Sequence, residues 1–238
     1  MTATTVFDDL RDALAEQEFD GAAVGIDLGT TKSCIAVARF EDGELVCECQ
    51  TIDEPGQPEG QIAVPSVVAV KEGQAIVGHA AKRLARTPRF FQHRGSFSET
   101  KNEIGLRHTY ARAPEGFQSA TEIAAHIIRY LMEASGLDGE PVADPLVITV
   151  PASFHGAQRS ATLEAADEAF AGCQEVRLLD EPYAAVLDLL HRDPGKAGGH
   201  LSAGATWLVF DFGGGTCDVA LFTLQASETA ALAPRLLA

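Results

Sequence analysis

The sequence predicts an α/β fold built on a mixed sheet flanked by helices. Three observations lead there. From Ala22 the chain runs through short β-rich stretches separated by turn residues, the sign of an antiparallel start. From PLVITVP onward strands and helices alternate, the sign of strands joined by helical crossovers. With 46% hydrophobic residues over 238 positions, the chain can bury a sizeable core in one large domain or two modest ones.

The elements follow in order. Residues 1–21 read as a separate acidic helix: Val6, Leu10 and Leu14 recur every four residues, Thr5 with Asp8 has the form of a capping signal, and Gly21 can end it. VGIDLG, CIAVARF and ELVCECQTI predict an antiparallel meander, with EDG as the turn between the last two. IDEPGQPEGQ is a Pro/Gly loop, and VPSVVAV and QAIVG bracket a second hairpin at KEG. HAAKRLARTP reads as a helix stopped by Pro88. Residues 89–120 mix aromatic, basic and polar side chains without a period and predict no element. ATEIAAHIIRYLMEASG is the clearest helix: Ile123, Ile127 and Leu131 share a face, Ser119 and Glu122 suit a capping box, and Gly136 suits a left-handed C-terminal position. The rest reads as strand PLVITVP, helix HGAQRSATLEAADEAFAG, strand EVRLLD, helix EPYAAVLDLLHR, a Gly-rich loop, and strands TWLVFDFG and TCDVALFTL. No element is predicted for residues 225–238.

Charge and cysteine usage narrow the function. A formal charge of −16 argues against a nucleic-acid footprint, which needs clustered Lys and Arg. An acidic chain still binds an anionic nucleotide where backbone amides and a cation neutralise the phosphates locally. Five cysteines, with Cys47 and Cys49 as a lone C-x-C, fit reduced thiols in a cytoplasmic protein better than a zinc site or a disulfide framework. The N-terminal stretch VFDDLRDALAEQEFD is too acidic for a signal peptide, and no apolar run approaches the roughly 20 residues that span a membrane.

One short internal resemblance carries the chemistry. VGIDLGTTKSCIAV and LVFDFGGGTCDVAL are each apolar strand, Asp, one hydrophobic residue, Gly/Thr turn, apolar strand. Glycine lets backbone N–H groups approach an anion, and threonine adds a hydroxyl donor. The Asp before each turn would repel phosphate unless a divalent cation stood between them. Magnesium, which keeps several waters and takes few carboxylates, suits Asp27 and Asp211. Either turn alone is as readily a simple hairpin with an exposed acid; two copies in the same order are not. There is no Walker loop and no dinucleotide fingerprint, because β-rich sequence, not a helix, follows each turn.

VGIDLGTTKSCIAV, VITVPASFHGAQRSAT, LLDEPYAAVL and VFDFGGGTCDVALF resemble, in that order, the nucleotide-binding domain of the seventy-kilodalton heat-shock protein chaperones. IVGHAAKRLARTP resembles the segment after that family's first hairpins. The matches run from about Val24 to Leu224. In looser form the paired turns mark the wider actin and sugar-kinase superfamily, whereas VPASF and DEPYAAV favour the chaperone branch.

The resemblance implies a ribonuclease H-like actin/sugar-kinase ATPase lobe with a mixed five-stranded sheet. Residues 22–205 would form lobe one, with a trimmed peripheral subdomain at about 59–138, and residues 206–238 would begin lobe two. Gly29, Thr30, Thr31 and Lys32 would form the first phosphate loop, and Gly213, Gly214, Gly215 and Thr216 the second. Asp27, Glu181, Asp211 and Asp218 would surround Mg²⁺ and its waters. Lys101, in KNEIG, would face the transferring phosphoryl, and Glu181 or Asp211 would orient the attacking water. Pro151 and Arg159 would couple nucleotide state to a substrate-binding domain. The implied cofactors are ATP or ADP with Mg²⁺, and optionally K⁺. The implied partners are unfolded peptides, co-chaperones and a nucleotide-exchange factor acting through a full-length cytoplasmic stress protein, with no nucleic acid and no membrane.

Several residues depart from the family pattern. Tyr183 stands for a usual Thr, Asp180 for an Asn, Cys217 for an aromatic, and Lys32 is an uncommon neighbour of the first loop. The family's adenosine motif, linker and peptide-binding domain are not among residues 1–238, so a fragment of a longer protein is expected. The expectation is therefore an N-terminal portion of an ATP-hydrolysing chaperone that by itself binds nucleotide weakly and hydrolyses it poorly. A small-molecule kinase of the same superfamily and a non-hydrolysing nucleotide-sensing scaffold are the alternatives.

Overall fold

The computed structural model describes residues 22–42, 44–87, 95–137, 145–170, 175–192, 204–213, 217–226 and 232–237. The helix expected over residues 1–21, and Pro88, lie outside them.

The meander forms as its turn residues dictate. β1 (Ala22–Asp27), β2 (Lys32–Glu41) and β3 (Glu44–Cys49) pair antiparallel, with Glu41 opposite Glu44 across the EDG turn. β4 (Ala63–Pro65) adds to the start of β2, with Lys32 opposite Pro65. β8 (Leu146–Val150) then pairs parallel with β1, and β9 (Val176–Asp180) parallel with β8. The sheet order is β3-β2-β1-β8-β9, so the expected five-stranded mixed sheet is present, with β4 as a sixth strand off β2. A smaller sheet, β6-β5-β7, is made by β5 (Val67–Lys71), β6 (Gln74–Val77) and β7 (Ser96–Ser98).

Strand alternation decides which face is covered. Val24, Ile26, Ile35, Val37, Leu146, Ile148 and Val150 point to one side and are buried there. They pack with α2 (Ala120–Ala134) and α3 (Gly156–Ala169), whose Ile123, Ile128, Leu131, Ala165 and Ala166 join the same core. α2 begins with the expected capping box: Ser119 Oγ accepts from Glu122 N–H, and the Glu122 carboxylate accepts from Ser119 N–H at 2.8 Å. Its C-terminal Gly136 takes the expected left-handed conformation. α1 (Gly78–Ala85) has no local side-chain cap. Distant Glu54 replaces it, accepting from His79 N–H at 2.9 Å and bonding the His79 ring, an acid where the helix dipole favours one.

The opposite face of the large sheet receives α4 (Glu181–Arg192), which opens directly after β9. Against α4 lie β10 (Thr206–Phe212) and β11 (Cys217–Ala226), an antiparallel hairpin. The Tyr183 ring meets buried Phe222 edge-on, with centroids 6.4 Å apart, so the unusual Tyr183 is a packing residue between helix and hairpin. A further strand, β12 (Leu232–Leu236), pairs with β11, so part of the stretch with no expected element is a strand. Pro234 hid it: proline cannot donate to a ladder, but a strand at the end of a sheet tolerates it. Residues 89–120 likewise hold β7 and a short 3-10 turn, Thr100–Glu103.

The hairpin has two unlike faces. Trp207, Val209 and Asp211 share the side of Ala220 and Phe222, toward α4, whereas Leu208, Phe210 and Phe212 on the other side are 58%, 60% and 80% exposed. Replacing Phe210 and Phe212 by Ser should cut binding of an apolar fluorescent dye by roughly twofold or more. Denaturant titration should move by no more than about 0.5 kcal/mol, since little packing is lost.

Candidate functional site

The ends of β1 and β10 and the start of α4 meet beside the 3-10 turn. Asp27 closes β1 and is exposed: it projects past the covered part of the sheet. Its Oδ1 accepts from Thr149 Oγ1 at 3.1 Å, because parallel pairing places Thr149 beside it. Asp211 occupies the matching place in the second hairpin and is half-buried, with Asp218 directly opposite it in register. Gly213 follows and is exposed; Gly214, Gly215 and Thr216 lie outside the described residues.

Lys101 and Glu181 form an ion pair whose side chains are only 8% and 14% exposed. The Lys101 ammonium also lies 5.9 Å from the Phe154 ring centroid. Gly105 explains how an exposed-looking KNEIG segment holds a lysine in place. Its φ is +76°, and a Cβ there would sit 2.7 Å from Gln158 Cα in α3, so the turn docks backbone to backbone. Ile104 is buried beside it. The cleft next to this pair is lined by Leu28, Gly29, Thr30, Ser66, Thr100 and Lys101.

Burial raises the proton affinity of Glu181, Lys101 opposes this, and Asp27 and Asp211 raise it again. Both strand-end acids therefore lie within electrostatic reach of Glu181. Behind Asp27, burial and the Asp27 charge push the Cys34 thiol up to about 11, so it stays neutral. Among the described residues no three acidic, His or Cys side chains converge tightly enough to grip a metal directly. A donor set of separated carboxylates suits a hard cation that keeps its own waters.

The remaining expected residues sit around this centre. Thr31 and Lys32 are exposed, and Lys32 makes no ion pair among the described residues. Pro151 is buried at the end of β8 and accepts from Phe154 N–H at 3.0 Å. Arg159 donates to Phe154 O at 2.9 Å and pairs with Asp180 at 2.5 Å, one residue before Glu181. Arg159 and Pro151 thus meet at Phe154, the residue under Lys101. Thr149, Phe154, Gly105 and Ser66 were missed as site residues. Only Gly105, inside the Lys-x-x-Ile-Gly pattern, carried a readable signal.

With this geometry in place, comparison with known proteins is decisive. The family model described as Hsp70 protein matches residues 23–115 and 97–232. The chain belongs to the Hsp70 family. Its Hsp70 relatives include "Chaperone protein DnaK" of Mycoplasma mycoides subsp. mycoides, 39% identical over 207 residues, covering 84% of this chain and 30% of the relative. A second is "Chaperone protein DnaK" of Metamycoplasma hominis, 36% identical over 212 residues, covering 88% of this chain and 31% of the relative. The chain thus spans just under a third of the length of these Hsp70 relatives.

Two measurements check the site. In a carbon-detected NMR titration the Glu181 carboxyl should titrate above the ordinary carboxylate range, and Lys101→Met should move it higher still, since the lysine is the lowering influence. The sign for stability follows: a raised folded value means Glu181's contribution is full below its unfolded value and is lost as pH rises through the folded one. A midpoint at or below the ordinary range would contradict the net raising of Glu181 by burial and its acidic neighbours. Separately, Gly105→Ala should cost about 2–3 kcal/mol in urea unfolding, from positive φ and the clash with α3.

Proposed function

We propose that this chain is the nucleotide-binding portion of an ATP-dependent Hsp70 chaperone, holding ATP or ADP between its two Asp-terminated hairpins. One observation carries the reading: Asp27 and Asp211, from separate hairpins, both lie within electrostatic reach of Glu181, whose carboxylate pairs with Lys101. The relatives' printed name, Chaperone protein DnaK, supports the wider role.

In this reading the amides of the Gly29–Thr31 turn, with the Thr30 and Thr31 hydroxyls, bind phosphate oxygens, and Gly213 to Thr216 do the same from the second hairpin. Asp27 and Asp211 would hold Mg²⁺, with Glu181 and Asp218 beside them, and the ion would supply charge neutralisation to the phosphates. Lys101 turns part of its charge from Glu181 toward the transferring phosphoryl. Glu181, relieved of that cation and facing two other carboxylates, gains proton affinity and takes the proton of the attacking water. Its burial favours it over Asp211 for that task. Arg159, through Phe154 and Asp180, connects this change to Pro151 and a neighbouring domain. K⁺ as an accompanying ion, unfolded peptides, co-chaperones and an exchange factor as partners, and cytoplasmic residence belong to the same proposal. Among the described residues no helix is long and apolar enough to cross a membrane.

Isothermal calorimetry tests the reading. The chain should bind Mg-ADP more weakly than micromolar, binding should vanish with a chelator, and Asp27→Asn or Asp211→Asn should each weaken it roughly tenfold. Absence of any Mg-dependent nucleotide binding at millimolar ligand would overturn it.

A further inference from the structure

The turn between β1 and β2 is gripped from behind by a buried serine pair. Ser66, between β4 and β5 and only 4% exposed, donates its hydroxyl to Gly29 O at 2.7 Å. Its backbone N–H donates to Thr31 O at 2.9 Å. Ser33, 1% exposed, places its Oγ 2.9 Å from Ser66 Oγ. A serine has one hydroxyl hydrogen, and that of Ser66 is committed to Gly29. Ser33 must therefore donate to Ser66, and the relay runs Ser33 to Ser66 to Gly29.

The consequence falls on the turn's backbone. Two of its carbonyls, at Gly29 and Thr31, are tied back toward the sheet. The amides of Gly29, Thr30 and Thr31 donate to no other group among the described residues. Carbonyls tethered behind, with free N–H groups in front, make an anion-binding concavity. The curl is tight: a Cβ on Gly29 would collide with Lys32 O. Two buried hydroxyls are a costly way to fill space that alanine or valine could occupy, unless a backbone carbonyl has to be held in one direction.

We propose that Ser66, supported by Ser33, is a positioning residue for the first phosphate loop: by fixing the Gly29 and Thr31 carbonyls it aims the amides between them at the nucleotide's phosphates. It acts through the backbone, because its own hydrogen is spent on Gly29. The ligand half of this inference rests on the nucleotide reading above; the mechanical half does not.

The test compares Ser66→Ala with Ser33→Ala. Each removes one buried hydroxyl of the same pair, so urea unfolding should shift similarly, but only the first frees a loop carbonyl. In the nucleotide-free chain, ¹⁵N order parameters at Thr30 and Thr31 should fall in Ser66→Ala from about 0.85 to about 0.6. They should stay unchanged in Ser33→Ala. Affinity for Mg-ADP should fall about tenfold in Ser66→Ala and less than about threefold in Ser33→Ala. If Ser66→Ala does not fold, Ser66→Cys, similar in shape with a weak donor, should give the same pattern at smaller size. Unchanged loop order parameters in the Ser66 variants, or equal loop effects from both sites, would overturn the proposal. Loosening of the loop in a chain whose wild type binds no nucleotide would support the positioning role and reject the nucleotide reading instead.

Discussion

The buried pair of Lys101 and Glu181 is the interaction on which the rest depends. It joins residues 80 positions apart, one on a 3-10 turn beside the smaller sheet and one at the start of α4. A desolvated ion pair contributes modest net stability, but removing one partner strands a charge, at a cost of about 3–5 kcal/mol. The turn that presents Lys101 is accordingly pinned by Gly105 on α3 and by Ile104 in the core. Glu181 is fixed by the β9-to-α4 junction. The pair thus ties the smaller sheet's neighbourhood to the large sheet at the point where both hairpin turns arrive.

The second constraint is repetition. The chain uses strand, Asp, tight turn, strand twice, and in each hairpin the Asp faces the residue the same distance further along: Cys34 for Asp27, Asp218 for Asp211. The difference is informative. A neutral thiol backs the first acid, whereas a second carboxylate backs the other, so the negative charge is concentrated on the β10–β11 side. In a protein of net charge −16, an anionic nucleotide can approach such a centre only through local amides, Lys101 and a cation.

Much of the fold was legible because its signals are local. Turn residues at EDG and KEG, the Ser119–Glu122 box and Gly136 act within a few residues of themselves, and each element formed where they placed it. What was not legible depends on distant partners. β7 exists because β5 offers an edge to Ser96–Ser98, and β12 because β11 accepts a proline-bearing strand at its side. The cap of α1 comes from Glu54, far from it in sequence. The site divides in the same way. Asp27, Asp211, Glu181 and Lys101 could be read from motif order. The exposure of Asp27, its bond to Thr149 and the grip of Ser66 follow only from strand register.

The central claim is that the two hairpin ends serve one ion and one nucleotide. Paramagnetic broadening with Mn²⁺ in place of Mg²⁺, in the presence of ADP, measures this most directly. The account predicts broadening of amide signals at both Asp27–Thr31 and Asp211–Gly213, with the β2–β3 turn, at the other end of the meander, unaffected. Broadening at only one hairpin, or equal broadening across the acidic surface, would contradict it.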